Sequence, residues 1–350
     1  MEFNVLEDFD FSEKRVVLRV GMDVPIDEDG NITNDKRILE GLSTIKYLLQ
    51  ENAKQIIILN HIGRPTSKEK SLNHDNLAKR LSEYLKINVK KLDDCINIKI
   101  PNDKIVLLEN LRFHKEEIEN NYDFAEELAS YGEIYINDAF SVSHREQASV
   151  CAITKFIPSF PGLLFEKEVN MLKGLFENPE HPFILILGGK KFSERSEILD
   201  NMISKVDKVL LGSSSIFEEK IVNNKIIYPK DFIKENNIAL DIGKGAISNY
   251  KEELKNAKTI LWNGPLGLFE KEEFSRGSNE IIRFISNLNC KKIILGGDTS
   301  YAVEKLKLEN KFTYISTGGG ASLEFLSGKI LPGIKALEHN SLPKGLKECS

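Results

Sequence analysis

Short apolar runs alternate with amphipathic segments from one end of the chain to the other. Runs at 16–20, 56–60, 105–108 and 134–136 predict four buried strands in the first half. Runs at Phe183–Leu187, Lys208–Leu211, 259–262, 293–295 and 312–315 predict five more in the second. Between them, apolar residues return at helical spacing. Leu77, Ala78, Leu81 and Leu85 do so within Asp75–Leu85, and Phe124, Ala125, Leu128 and Ala129 within 122–131. Strands and helices in alternation predict an α/β fold with mainly parallel sheets.

The rhythm breaks in the middle. Residues 155–162 form a proline-punctuated stretch that reads as a turn, followed by a strong helix former, Leu163–Glu177, which stops at Asn178-Pro179. This predicts two Rossmann-like parallel-sheet domains joined by a hinge helix, with an N-terminal domain over 1–160, the helix over 161–178 and a C-terminal domain over 179–330. Residues 331–350 carry two prolines and have no place in the second sheet.

Composition narrows the class. The 350 residues are 41% hydrophobic and 29% charged, with a net charge of −5 and no long basic run, so neither a nucleic-acid partner nor a membrane surface is expected. The acidic start lacks an apolar core segment, so no signal peptide is expected, and no run approaches a membrane span. Cys95, Cys151, Cys290 and Cys349 are widely spaced, which predicts reduced thiols in a cytoplasmic protein.

In open parallel sheets, ligands bind beyond the carboxyl ends of the strands. In the first half those ends carry Arg19 and Asp23 with Arg37 soon after, then His61 and Arg64, then Arg112 and His114, then His144 and Arg145. Arginine forks match carboxylate and phosphate oxygens, so their convergence on one edge predicts a pocket for a small polyanion. In the second half the ends are glycine-rich: Gly188-Gly189, Gly212 followed by three serines, Asn263-Gly264-Pro265, Gly296-Gly297-Asp298-Thr299 and Gly318-Gly319-Gly320. Glycine lets backbone approach a phosphate or a base plane, and a helix following such a turn aims its N–H groups at an anion. Lys191 and Arg195 add positive charge, and Asp298 is suited to a divalent metal. Neither a P-loop nor a dinucleotide fingerprint is present, and the six histidines show no metal-ligand spacing. An anion pocket in one domain and a nucleotide-like site in the other predict a transferase that closes on two phosphorylated ligands.

At these residues the chain resembles the phosphoglycerate kinase family. The matching stretches include VVLRVGMDVP, ITNDKRI, HIGRP, LLENLRFHKEE, INDAFSVSHREQAS, FILILGGKKFSER, ALDIGKG, TILWNGPLGLFE, IILGGDTSYAVEKL and YISTGGGASLEFLSGKILPGIKAL. They occur in the family's order and span almost the whole chain. The resemblance implies a monomeric, cytoplasmic, hinge-bending enzyme of glycolysis. It would transfer a phosphoryl group between 1,3-bisphosphoglycerate and ADP, giving 3-phosphoglycerate and ATP, with Mg²⁺ and no general base. Carried over by position, Asp23, Arg37, His61, Arg64, Arg112 and Arg145 hold the acid substrate. Gly189, Lys191, Arg195, Asn263, Glu270, Gly296, Gly297, Asp298 and Thr299 hold ATP or ADP, with Glu270 toward the ribose and Asp298 on the metal. Arg37, Lys191, Arg195, Gly297 and Gly319 surround the group in flight. The tail after Pro332-Gly333 returns to the first domain.

The chain departs from the family at several contact positions. The family's R-V-D-F-N-V-P reads Arg19-Val20-Gly21-Met22-Asp23-Val24-Pro25, so the aspartate and asparagine that help hold the acid's hydroxyl and carboxylate end are Gly21 and Asp23. Arg195 stands for a lysine, Ser213, Ser214 and Ser215 stand where glycines line the nucleotide pocket, and the region between Ile216 and Asp241 is much shorter. These changes set a second reading beside the first: a paralogue with altered substrate or no turnover, acting as a nucleotide- or anion-binding or regulatory protein.

Overall fold

A computed structural model describes residues 5–189, 196–213 and 221–338. The chain divides into two compact units. Unit 1 holds the chain up to Val169 together with the segment from Ile330 onward, and unit 2 holds Asn170–Lys329.

Unit 1 runs β1 (Arg15–Val20), α1 (Lys36–Gln50), β2 (Gln55–Leu59), α2 (Asp75–Leu85), β3 (Val89–Lys91), β4 (Ile105–Leu107), α3 (Lys115–Ile118), α4 (Tyr122–Ser130), β5 (Ile134–Asp138) and β6 (Ser159–Pro161), then enters α5 (Leu163–Glu177). Its six strands are all parallel, in the order β3-β4-β2-β1-β5-β6. β2 is buried at every position because helices cover both faces of the sheet, the usual condition of a parallel sheet. Side chains alternate between two cores. Val16, Leu18, Val20, Ile56 and Ile58 face one, with Ile38, Ile45 and Leu77, while Val17, Ile57 and Leu59 face the other, with Phe124 and Leu128.

Unit 2 runs β7 (Phe183–Leu187), α6 (Ser196–Met202), β8 (Lys208–Leu211), β9 (Ile226–Ile227), β10 (Phe232–Glu235), β11 (Ile238–Ile242), α7 (Lys244–Leu254), β12 (Thr259–Asn263), α8 (Arg276–Ser286), β13 (Lys291–Leu295), α9 (Gly297–Lys305), β14 (Tyr314–Ile315) and α10 (Gly320–Leu326). Six of these strands form a second parallel sheet, in the order β14-β13-β12-β7-β8-β9. β10 and β11 form a separate antiparallel hairpin. Its two-residue turn is Asn236-Asn237, both at positive φ, the backbone that a tight hairpin requires and asparagine tolerates. The last helix, α11 (Pro332–Glu338), belongs to unit 1, where the Gly333 N–H donates to the Ser143 carbonyl at 2.9 Å.

Two expectations need correction. Residues 159–161 are not only a turn: they add β6 beside β5, pairing Ser159 with Tyr135 and Pro161 with Asn137. Proline is tolerated because β6 is the sheet's edge and its missing N–H breaks no ladder. The run at 312–315 yields a strand only at Tyr314–Ile315, because Phe312 closes a 3₁₀ turn over Glu309–Lys311 and is buried there.

The start of α5 is fixed by Asp138, the last residue of β5. One carboxylate oxygen accepts the N–H groups of Leu164 at 2.9 Å and Phe165 at 3.1 Å. A side chain at Gly162 would come within 2.3 Å of that oxygen, so the capped helix excludes any other residue there. Burial pushes Asp138 up to about 7, against the Thr44 hydroxyl and the two N–H groups, which favour the charged form. Cys95, Cys151 and Cys290 are free thiols, and no helix among the described residues is long and apolar enough to cross a membrane.

Candidate active site

In unit 1 the chain passes from β1 toward β2 on one side, while β5 lies on the other, so the connections part between β1 and β5. Such a switch point opens a crevice at the carboxyl edge. Arg19, near the end of β1, is fully buried there. Its Nε donates to the Ser149 hydroxyl at 2.9 Å, which in turn donates to Glu117 at 2.6 Å, while the Ser149 N–H donates to the other Glu117 oxygen at 2.9 Å. A buried carboxylate thus offsets a buried guanidinium through one serine. A terminal nitrogen of Arg19 donates to Nδ1 of His61 at 2.8 Å.

His61 is as deeply buried and is pushed down to about 3, first by burial and then by the charges of Arg19 and Arg112. It enters the patch as a neutral ring. Its Nε2 points at Asp23, 3.5 Å away, and the other Asp23 oxygen accepts the Gly63 N–H at 2.8 Å. Burial works against the Asp23 charge. The hydrogen bonds from His61 and Gly63 and the charge of Arg37 outweigh it and hold the carboxyl well below its usual range.

Arg112 is 6% exposed. One terminal nitrogen donates to the Gly63 carbonyl at 2.6 Å, and the other is buried without a partner. Burial and the charges of Arg19 and Arg145 lower it to about 10, so it remains a cation at neutral pH. Arg145 and Arg37 are half-buried, and Arg64 is exposed on the loop after Gly63. Two asparagines brace these loops. Asn60 clamps the Met22 backbone on both its N–H and its carbonyl, and Asn110 donates to the carbonyls of Ile62 and Leu72. Sequence reasoning gave no role to Glu117, Ser149, Asn60 or Asn110. The one signal for Asn60 and Asn110 is polarity just after strands that are otherwise apolar, and Glu117 and Ser149, in a helix and a turn, carry none.

In unit 2 the same topological argument places a crevice between β7 and β12. The Gly188 N–H donates to the Asn263 carbonyl at 2.9 Å and the Gly189 N–H to the Pro265 carbonyl at 2.7 Å. A Cβ at Gly188 would stand 2.1 Å from the Pro265 oxygen, so these loops meet only as glycine. A cavity of about 290 Å³ opens there, walled by Ile238, Ala239 and Leu240 of β11 and by Gly267, Leu268 and Phe269, with Glu270 and Asp298 at its polar side. The Leu268 N–H donates to the Leu240 carbonyl at 2.7 Å and joins the two walls. The shortened connection before Asp241 therefore still supplies a wall, built by the β10–β11 hairpin. Ser213 is buried against the cavity with its N–H on the Leu266 carbonyl at 2.8 Å.

Asn263 is buried at the end of β12. Gly296, at φ +84°, turns β13 into α9, whose first residues Gly297 and Asp298 are exposed. Thr299 is buried, its hydroxyl accepting the Gly264 N–H at 2.8 Å, so its side chain shapes the neighbouring loop. Gly319 precedes α10 at φ +54°, and a Cβ at either Gly297 or Gly319 would meet nothing within 4 Å, so both backbones border open space. Lys191, Arg195, Ser214 and Ser215 lie outside the described residues, as does the chain beyond Glu338.

A third group was not legible from histidine spacing. Asp94, Cys95 and His114 bring donor atoms within 4.8 Å of one another. The carboxylate is already engaged by Lys68 at 2.7 Å, by His114 at 2.5 Å and by the Cys95 N–H at 2.8 Å, and burial pushes the thiol up. The group closes as a hydrogen-bonded brace between loops.

Comparison with known proteins agrees along nearly the whole chain. The phosphoglycerate kinase family model matches residues 6–218 and 213–329, two segments that meet where the chain is short. The phosphoglycerate kinase of Dictyoglomus turgidum is 40% identical over 388 aligned positions, covering 95% of this chain and 98% of that protein. Phosphoglycerate kinase from Coxiella burnetii superposes with a TM-score of 0.85 at 30% identity, covering 97% of this chain and all of that one. The enzyme from Pyrococcus horikoshii OT3 gives 0.84 at 29% identity, over 96% and 98%.

Proposed function

The chain belongs to the phosphoglycerate kinase family, and on that premise we propose how its two strand-edge sites divide the work. It is a phosphotransferase with a carboxyl group as acceptor, moving a phosphoryl group reversibly between 1,3-bisphosphoglycerate and ADP to give 3-phosphoglycerate and ATP. Unit 1 takes the acid. The observation that carries this is the buried, unpartnered guanidinium nitrogen of Arg112, a donor left for an anion in a crevice already holding Arg19 and bordered by Arg37 and Arg145. Arg64 meets the acid's outer phosphate. Unit 2 takes the nucleotide, with the base against Ile238, Ala239 and Leu240, the ribose at Glu270 and the phosphates at Gly296 and at Gly297 and Thr299 in the first turn of α9.

The chemistry needs no base. The nucleophile in the ATP-consuming direction is a carboxylate, ionised at neutral pH, so no proton is removed. What remains is alignment and charge neutralisation. Arg37 supplies charge on the acid side, and the sequence match adds Lys191 and Arg195 beside the phosphoryl, with the Gly297 and Gly319 backbones. Asp298 is an exposed carboxylate without a described partner at the edge of the cavity, and this hard oxygen donor fits Mg²⁺ shared with nucleotide phosphates. The ion would offset phosphate charge there. The reading extends to a monomer in the cytoplasm, a reducing compartment with which the free thiols accord. A coupled assay with 3-phosphoglycerate, ATP and Mg²⁺ tests it. Turnover that depends on all three is expected, and nucleotide binding by calorimetry with no turnover would overturn it.

A further inference from the structure

Gly21 is the first residue after β1, and Phe140–Val142 is a 3₁₀ turn just beyond β5. These segments flank the switch point of unit 1. Gly21 leaves the crevice floor without a side chain. A Cβ built there would lie 3.3 Å from Oγ of Ser141 and 3.4 Å from Cα of Ala139, so the serine hydroxyl occupies the space into which a longer residue at 21 would grow. Ser141 is half-buried, while Phe140 and Val142 on either side turn into the core. Ser143 spends its hydroxyl on the Ala139 carbonyl at 3.4 Å, whereas the half-buried Ser141 hydroxyl makes no hydrogen bond among the described residues.

Two polar side chains of the same crevice are already engaged. Asp23 accepts from Gly63 and faces His61, and His61 accepts from Arg19. The arginines suit the two anionic ends of a phosphorylated acid. A neutral hydroxyl on the ligand needs a partner that both donates and accepts, and Ser141 offers both.

We propose that Ser141 is a specificity-determining residue whose hydroxyl binds the 2-hydroxyl of 3-phosphoglycerate across the gap left by Gly21. The proposal rests on the acid-binding reading of unit 1. It makes the open floor at Gly21 and the side chain at Ser141 one device: the serine reaches the ligand because the glycine does not block it.

The test compares binding of 3-phosphoglycerate with 3-phosphonooxypropanoate, the same acid without the hydroxyl, by calorimetry on the full chain. The wild type should prefer the hydroxy acid about tenfold, the span of one net hydrogen bond, and Ser141→Ala should abolish the preference while the KM for ATP stays within about twofold. Gly21→Asp should crowd Ser141 and weaken binding of both acids. Gly21→Asp combined with Ser141→Gly should relieve the crowding and recover most of the preference. A Ser141→Ala protein that still prefers the hydroxy acid tenfold overturns the proposal, as does a wild type that binds both acids equally. A wild type with the preference but no turnover would sink the kinase reading and leave the Ser141 assignment standing, so the two failures are separable.

Discussion

Arg19 donates to Nδ1 of His61 across 2.8 Å, and that contact decides which nitrogen of the ring carries the proton. A guanidinium has no acceptor, so Nδ1 must accept and the proton sits on Nε2, aimed at Asp23. With His61 pushed down to about 3, the ring should stay neutral across the physiological range. Nitrogen NMR should find an Nε2–H tautomer whose shifts do not move between about pH 8 and pH 5. A midpoint above 6 would show that the acid crevice holds a histidinium instead.

Arg112 should be the costliest arginine to remove. Arg112→Ala loses both the tie to the Gly63 carbonyl and the open donor, so kcat/KM for 3-phosphoglycerate should fall roughly 100-fold, about 3 kcal/mol. Calorimetric affinity for ADP should not change. Arg112→Lys should recover only part of the loss, because one ammonium cannot reach both partners. Full recovery by lysine would mean that charge alone matters at this position.

Ile238 is 51% exposed at the lip of the unit 2 cavity and its neighbours Ala239 and Leu240 line the same wall. Ile238→Ala should raise the KM for ATP about fivefold by removing apolar contact, with the KM for 3-phosphoglycerate unchanged. Equal effects on both constants would place the base elsewhere.

Asp298→Asn should shift the Mg²⁺ dependence of turnover to about tenfold higher concentration, since a neutral amide is a poorer ligand for a hard cation. A Mg²⁺ titration that superposes on that of the wild type would remove Asp298 from the metal.

Asp138 makes stability fall with pH. Its folded value of about 7 lies above the ordinary carboxylate value, so between about pH 4 and pH 7 the folded chain binds the extra proton. The protonated form is favoured below that window, and the stability it confers is lost as pH rises through 7. Glu166, raised to about 7, and Asp241, raised to about 6, act in the same direction. Asp138→Asn should therefore show a smaller loss of unfolding free energy between pH 5 and pH 8 than the wild type, by about 3 kcal/mol. Parallel curves for the two proteins in urea would mean that Asp138 keeps its charge in the fold.

Most of the sheet architecture was legible because buried parallel strands leave continuous apolar runs; Phe183–Leu187, Asp75–Leu85 and Leu163–Glu177 appear with the bounds that their sequences suggest. β3 and β9 are edge strands of three and two residues, too short for a periodic signal, and two of the three residues of β3 are lysines. The β10–β11 hairpin hides because its outer residues are exposed and its only strong mark is the asparagine pair at the turn. Strand ends located both crevices, since topology alone fixes where they open. Charge states inside them were not legible. The sequence places His61 beside arginines, but its neutral ring follows from burial and from the charges of Arg19 and Arg112, which only the fold shows. Thr299 is read as a ligand from its motif, and the fold adds that its hydroxyl also accepts the Gly264 N–H.

The membership of α11 in unit 1 sets the order in which the protein can mature. Gly333 packs on Ser143 and Val150 so tightly that a Cβ there would come within 2.9 Å of both. Residues 170–329 are made before that helix, so the patch at Ser143 and Val150 is covered only after the last segment of the chain has been made. The unit whose first strand is made earliest is thus closed by the helix made latest.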